Sequence, residues 1–311
     1  MSHSSHEVPV ELTVVMCVYN GAATIEAQLD ALAQQVVDFA WEVVVSDNGS
    51  TDRTRSLVEA RTEGFPAPLR VVDSGARRGL PGARNLGVIA SRGRLIAFCD
   101  CDDVVGPNWL QGAFDGLQSF DLVGGPTRRL DDPFREDSAF VSATGTYPSQ
   151  LGLAIRGCNF GVTRRTYFGC GGFDEALPAY GMDDIEFSYR AARSGACVGS
   201  APGMLLYFRE TENARDQLRK MYRSAMAELL VWYRFPEDFA ERLPLRNLMR
   251  ELALFVPEHI ALARRGELPA PRALVRELVN RVGRVAAHVA WVRDGEVPQP
   301  RLLDPSDDRP S

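Results

Sequence analysis

Four short apolar runs constrain the fold of this chain more than any other feature. "LTVVMCV" (12–18), "EVVVS" (42–46), "LRVVD" (69–73) and "LIAFC" (95–99) are rich in β-branched residues. Each is followed by a helical pattern. Ile25, Leu29 and Leu32 share a face after the first run, and Leu57, Val58 and Ala60 after the second, in a helix starting near Asp52. "PGARNLGVIAS" follows the third run; Trp109, Leu110, Ala113, Phe114 and Leu117 follow the fourth. Continuous apolar strands alternating with amphipathic helices predict an α/β fold, a mainly parallel sheet with helices on both faces. Ligands of such sheets bind beyond the carboxyl ends of the strands. Those ends read "YNG" (19–21), "DNGSTD" (47–52) and "DCDD" (100–103), so three polar clusters are expected on one edge.

The third cluster is the most demanding. Asp100, Asp102 and Asp103 crowd three carboxylates into four positions. Like charges this close resist ionisation unless a cation or hydrogen-bond donors offset them. A helix cap accounts for one carboxylate, not three. Asp103 has two readings of equal standing, a cap for the helix near Asn108 or a residue lining the site.

Composition narrows the classes. The 311 residues carry a formal net charge of −6. Residues 1–213 hold 18 Lys+Arg against 27 Asp+Glu, whereas 214–293 hold 15 against 9. An acidic first part argues against nucleic acid as its ligand. No apolar run approaches the roughly 20 residues of a membrane-spanning helix. "MSHSSHEVPVE" lacks the basic start and apolar core of a signal peptide, so the expected location is cytoplasmic. The six cysteines (17, 99, 101, 158, 170, 197) show no CxxC spacing and read as free thiols rather than a zinc site. "GLPGARNLG" (79–87) lacks the GK[ST] ending of a P-loop and follows the wrong strand for a dinucleotide fold.

Past residue 120 the pattern loosens. "GGPTRRL" and "NFGVT" read as strands, and the stretch 169–195 ends in a helix with Ile185, Tyr189 and Ala192 inward. After Arg209 the chain turns helical, with one stripe of Leu218, Met221, Tyr222, Ala225 and Leu229. A second stripe comprises Leu274, Leu278, Val282, Val285, Val289 and Val292. The expected divisions are a flexible 1–10, a catalytic domain over 11–213, a helical module over 214–293 and a loose, Pro-rich tail over 294–311. The stripes suit packing on the catalytic domain, or a homodimer contact. Arg264, Arg265, Arg272, Arg276, Arg281, Arg284 and Arg293 around the last helix equally suit a peripheral contact with the inner face of a membrane.

Four motifs in register, "VVMCVYNGAATI", "EVVVSDNGSTDRT", "GARNLGVIASRGRLIAFCDCDD" and "GGFDEALPAYGMDDIEFSYR", resemble the family 2 glycosyltransferases over about residues 10–210. These are inverting, metal-dependent enzymes of the GT-A fold. The resemblance implies a nucleoside-diphosphate sugar donor, UDP-linked by preference, bound by the half 11–120, and an acceptor of unknown identity bound by 121–213. It implies lipid-linked acceptors among the possibilities. "DCDD" looks like the family's DxD motif, with Asp102 the ligand of a divalent cation, Mn or Mg, and Asp100 on the ribose. Cys17, Val18, Tyr19, Asp47, Arg84, Asn85 and Cys101 fall on the donor side, Tyr19 packing on the base and Asp47 accepting its imide N–H. Arg84 has an even alternative, pairing with the acidic rim. Ser50, Thr51 and Asp52 read as helix caps.

"MDDIEF" carries the chemistry the resemblance implies. Asp184 is the expected base that takes the acceptor's proton, with Asp183 beside it. Asp174 in "GGFD" reads as an acceptor contact or a cap. Two departures stand out: Cys17 replaces a common proline, and "LLYFRE" (205–210) lacks the histidine that many relatives use as a further metal ligand. Arg209 or Arg215 is then expected to help neutralise phosphate. Competing readings are an inactive sugar-nucleotide-binding protein and a nucleotidyltransferase. The second would need a basic glycine-rich signature near the first strand, which "CVYNGAAT" does not provide.

Overall fold

The computed structural model of the chain describes residues 9–131, 135–178, 181–211, 213–243, 245–293 and 295–308. The expected flexibility of 1–8, 294 and 309–311, and the side chains of Val292 and Arg293, lie outside the described residues.

The four apolar runs form β1 (Leu12–Val18), β2 (Trp41–Asp47), β3 (Leu69–Asp73) and β4 (Leu95–Asp100). Between them lie α1 (Ile25–Ala33), α2 (Thr54–Arg61) and α3 (Leu80–Ile89). The chain continues through β5 (Val104–Val105), α4 (Trp109–Ser119), β6 (Leu122–Gly124), β7 (Thr127–Arg129), β8 (Phe140–Ser142), β9 (Thr146–Ser149) and β10 (Gly152–Ile155). Then follow β11 (Asn159–Thr163), α5 (Arg164–Gly169), α6 (Asp183–Arg193), β12 (Val198–Ser200) and β13 (Leu206–Phe208). The main sheet has seven strands in the order β12-β6-β11-β4-β1-β2-β3. Its pairs are parallel except those of β11, which runs antiparallel between β4 and β6.

The period of two in β1 divides the core. Val14 and Met16 face a layer built with Ile25, Leu29, Leu32, Trp109 and Leu110. Val15 faces the other layer, with Ile96, Phe98, Phe160, Tyr167, Phe173 and Phe187. Each such side chain fully buried contributes about 1.5–3 kcal/mol, which is why these runs dictate the architecture.

Two compact units divide the chain. One comprises residues up to Asp174, Asp184–Glu210 and Leu302 onward; the other comprises Glu175–Asp183 and Thr211–Arg301. The second unit is helical, with α7 (Ala214–Arg234), α8 (Pro236–Phe239), α9 (Leu245–Arg264) and α10 (Pro271–His288). No helix among the described residues is long and apolar enough to cross a membrane.

Two sequence expectations are corrected here. The tail is not loose at its end: Leu303 is buried in the second core layer, its N–H bonds Gly171 O at 2.8 Å, and Asp308 pairs with Arg164. In α6 the inward residues are Phe187, Ser188 and Ala191, while Ile185 and Tyr189 are half-buried and Ala192 is exposed. Glu186 is buried as well, as an ion pair with Arg190, and that buried charge breaks the apolar period a reader relies on. In α10, Leu278 and Val282 of the expected stripe are exposed, and the buried residues are Gly283, Ala287 and His288.

Candidate active site

The register of three strands assembles the carboxyl edge. Cys17 of β1 stands opposite Ser46 on one side and Asp100 on the other, and Val18 stands opposite Asp47. The loops beyond are stitched together. Asn20 N–H donates to Ser50 Oγ (2.9 Å), Thr51 N–H to Asn20 Oδ1 (2.8 Å), Gly21 N–H to Thr54 Oγ1 (2.8 Å) and Ala22 N–H to Asp52 Oδ2 (3.1 Å). Ser50 and Thr51 thus tie two loops rather than cap α2, a correction; Asp52 does accept from Thr54 N–H at its start (3.0 Å). Tyr19 stands 63% exposed at the mouth, available for stacking. Asp47 is nearly buried and accepts from Ser50 N–H at 2.9 Å. Val18 is buried and its carbonyl takes the Asn48 N–H at 2.8 Å.

The acidic turn is held from behind by a residue that no motif announced. Gln28 donates to Asp100 O (3.0 Å) and accepts from Val105 N–H (2.9 Å), clamping both ends of the turn. The carboxylates of Asp100, Asp102 and Asp103 bring their oxygens within 4.8 Å of one another. Asp103 is buried and caps nothing: Oδ1 accepts the Arg209 N–H at 2.8 Å, and Oδ2 has no hydrogen-bond partner. Burial, then the charges of Asp100 and Asp102, push its carboxyl well above the usual range, opposed by the Arg209 N–H and guanidinium. Arg209 also donates from Nε to Asp102 O (3.0 Å), bracing the acidic turn. Three oxygen donors with an unpartnered buried oxygen among them fit a hard divalent cation such as Mg or Mn. Cys101 is partly buried beside them and its thiol is pushed far up by burial and by Asp102 and Asp100.

The antiparallel insertion of β11 brings the second half of the site. Asn159 stands opposite Cys99, which lays the segment 156–158 alongside Asp100. Cys158 lies in that segment; burial first, then the charges of Asp103, Asp100 and Asp184 push its thiol well up. Gly157 N–H donates to Asp184 Oδ2 at 3.0 Å, and Gly157 O accepts from Arg84 Nη2 at 2.7 Å. One residue therefore links the carboxylate at the start of α6 to a buried guanidinium. Asp184 is half-buried, and its own carbonyl is held by Ser188 Oγ (2.6 Å). Asp183 opens α6 and is buried, preceded by Met182 at φ 65°, a left-handed conformation costly for a bulky side chain.

Arg84 and Asn85, expected on the donor side, are both buried. Arg84 is 2% exposed, packed over the Phe173 ring at 4.7 Å. Asn85 is fully buried: it accepts from Tyr167 OH and Phe173 N–H and donates to Phe173 O, each at 2.8 Å. One reason accounts for both. Their positions at the start of α3 point under the sheet edge into the aromatic layer, where every polar atom must find a protein partner. Asp174 is fully buried too, which removes the acceptor contact as its role. Below it, Arg190 donates to Gly172 O (2.8 Å) and Cys170 O, fixing the "GG" turn from α6. Neither Gly157 nor Gln28 carried a local signal that sequence reasoning could use.

Residues 13–166 match the model of glycosyl transferase family 2. The chain is 44% identical over 232 residues to the succinoglycan biosynthesis protein ExoO of Rhizobium meliloti, covering 66% of this chain and 63% of that one. It is 25% identical over 253 residues to the chondroitin synthase of Escherichia coli, covering 66% of this chain and 36% of the synthase. The chain thus spans under two thirds of the one relative and about a third of the other. The mannosyltransferase PcManGT of Pyrobaculum calidifontis, solved in complex with GDP-Man and Mn2+, superposes with a TM-score of 0.62 at 23% identity, covering 92% of this chain and 88% of that one. That likeness is one of fold, and the fold is GT-A. The motifs, the matched family model and this architecture agree: the chain belongs to glycosyl transferase family 2.

Proposed function

We propose that the chain is an inverting glycosyltransferase that moves a sugar from a nucleoside-diphosphate sugar, a UDP-sugar by preference, to an acceptor hydroxyl in glycan, glycolipid or natural-product biosynthesis. The observation that carries this is the juxtaposition of Asp184, anchored to Gly157 N–H, with the acidic turn at the end of β4, through the pairing of Asn159 with Cys99. One carboxylate serves the nucleophile and the cluster serves the leaving group.

The donor is held by the half 11–120. Tyr19 stacks on the base, Asp47 accepts its N–H, and the strand ends Cys17–Val18 and Asp100–Cys101 border it, with Asp100 on the ribose. Asp102, with the unpartnered oxygen of Asp103 beside it, would hold the divalent cation; bound there, it would offset the charge of the diphosphate. The acceptor sits over 121–213. Asp184 takes the acceptor's proton as the oxygen forms a bond to the anomeric carbon, while the bond from that carbon to the diphosphate oxygen breaks on the opposite face. The electron pair leaves with the nucleoside diphosphate, so configuration inverts. Asp183 steadies the acceptor or tunes the base.

Two variants test the division of labour. Asp102→Ala is expected to lose cation-dependent donor binding. Asp184→Asn is expected to keep donor binding and lose at least about a hundredfold in transfer, in the range general-base loss produces. Near-normal turnover by Asp184→Asn would remove it as the base.

A further inference from the structure

The helical unit leaves a large part of its apolar surface exposed. Two largely buried guanidiniums tie its helices together: Arg284 bridges Glu228 (2.9 Å) and Glu251 (3.0 Å), and Arg281 holds Glu258 (2.8 Å) and Glu277, while Tyr233 bonds His288 (2.8 Å). Leu229, Leu230, Val231, Trp232, Phe239 and Leu248 are buried, yet many other large apolar groups of the unit face out. Eight of the thirteen large apolar side chains exposed among the described residues fall between Met249 and Val282. On α9 they follow helical spacing, with Met249, Val256 and Ile260 on one face and Val256 and Ile260 exposed to 60% and 50%. On α10, Val275, Leu278 and Val282 form a second outward face, opposite the buried Gly283 and Ala287. Scattered exposed apolar residues are ordinary; two outward helical faces in one unit call for a partner.

Charge selects among partners. Arg246, Arg250, Arg264, Arg265 and Arg272 are exposed and enter no ion pair among the described residues. Of the acids in the same stretch, Glu251 and Glu258 are already paired, leaving Glu267. A second copy related by a two-fold axis would set this patch against itself, arginines facing arginines. An anionic bilayer supplies the missing charge and takes up the apolar faces together.

We propose that α9 and α10 dock the protein reversibly on an anionic membrane surface, apolar faces into the headgroup boundary and arginines on the lipid phosphates. Each arginine near such a surface strengthens binding by about fivefold, and salt weakens it because screening shortens the attraction.

The test is co-sedimentation of the full chain with vesicles of phosphatidylcholine alone and of phosphatidylcholine with phosphatidylglycerol, at low and high salt. The chain should pellet with the anionic vesicles at low salt and be released by high salt. Arg264→Glu/Arg265→Glu should weaken binding by about 25-fold or more, two arginines at fivefold each. Val256→Ser/Ile260→Ser should weaken it at least as much with an unchanged melting temperature, since both side chains are exposed. Full recovery in the supernatant with every vesicle overturns the proposal. So does a dimer, seen by sedimentation equilibrium, that Val256→Ser/Ile260→Ser dissolves while vesicles bind neither protein, which would assign the faces to a second copy.

Discussion

Arg84→Met separates the two roles this residue could have. The guanidinium donates to Gly157 O at 2.7 Å and stacks on Phe173 at 4.7 Å, almost wholly removed from water. Methionine keeps much of the volume and loses both interactions. A hydrogen bond from a charged donor contributes about 1.5–3 kcal/mol, and a desolvated cation–π contact about 2 kcal/mol. The expected loss is about 3–5 kcal/mol, and at ~2–4 °C per kcal/mol for a unit of this size the melting temperature should fall by roughly 6–20 °C. Gly157, which hands its N–H to Asp184, is then untethered at its carbonyl, and a base displaced by about 1 Å costs on the order of a hundredfold in rate. The kinetic signature is therefore a lower kcat with an unchanged donor KM, measured beside a thermal melt at a temperature where the variant is folded. A raised donor KM with wild-type kcat and melting temperature would refute the reasoning and return Arg84 to the donor's phosphates.

Two further outcomes rest on buried contacts. Burial lowers the pKa of His288 from 6.5, so the folded state favours the neutral ring that Tyr233 bonds. The stability this contributes is complete above pH 6.5 and is lost as pH falls through the depressed value. Melts of the wild type should thus drop relative to His288→Gln on acidification below 6.5, and parallel curves would exclude the linkage. Leu303→Ala, at a site only 7% exposed, should cost about 2–5 kcal/mol, measured by denaturant unfolding; an unchanged midpoint would show that the end of the chain is loose after all.

What could be read in advance follows the range of the interactions. β1 to β4 were visible because each is a local run of β-branched residues, and the polar stretches "YNG", "DNGSTD" and "DCDD" marked where those runs stop. Parallel pairing then gathers Tyr19, Asp47 and Asp100 without further information. The link from Asp184 to Gly157 depends on β11 entering the sheet antiparallel beside β4, and "RGCN" has no pattern that says so. The burial of Arg84 and Asn85 is not legible from residue type, because a guanidinium and an amide suggest a polar site although both can find partners within the protein, here Gly157 O and Tyr167 among them. Amphipathic spacing located α10 but could not say which of its faces is outward. That depends on the pairing of Arg281 and Arg284 with acids on neighbouring helices, which lies beyond any local window.

The most direct test of the account is the amount of free nucleoside diphosphate formed when the purified chain is incubated with a panel of UDP- and GDP-sugars, with manganese and with excess chelator. At least one sugar nucleotide should yield free diphosphate slowly with manganese alone, faster once the acceptor is supplied, and at background level in chelator. Full release in chelator would contradict the role given to Asp102 and its neighbours, and no release from any donor would contradict the assignment of transferase activity itself.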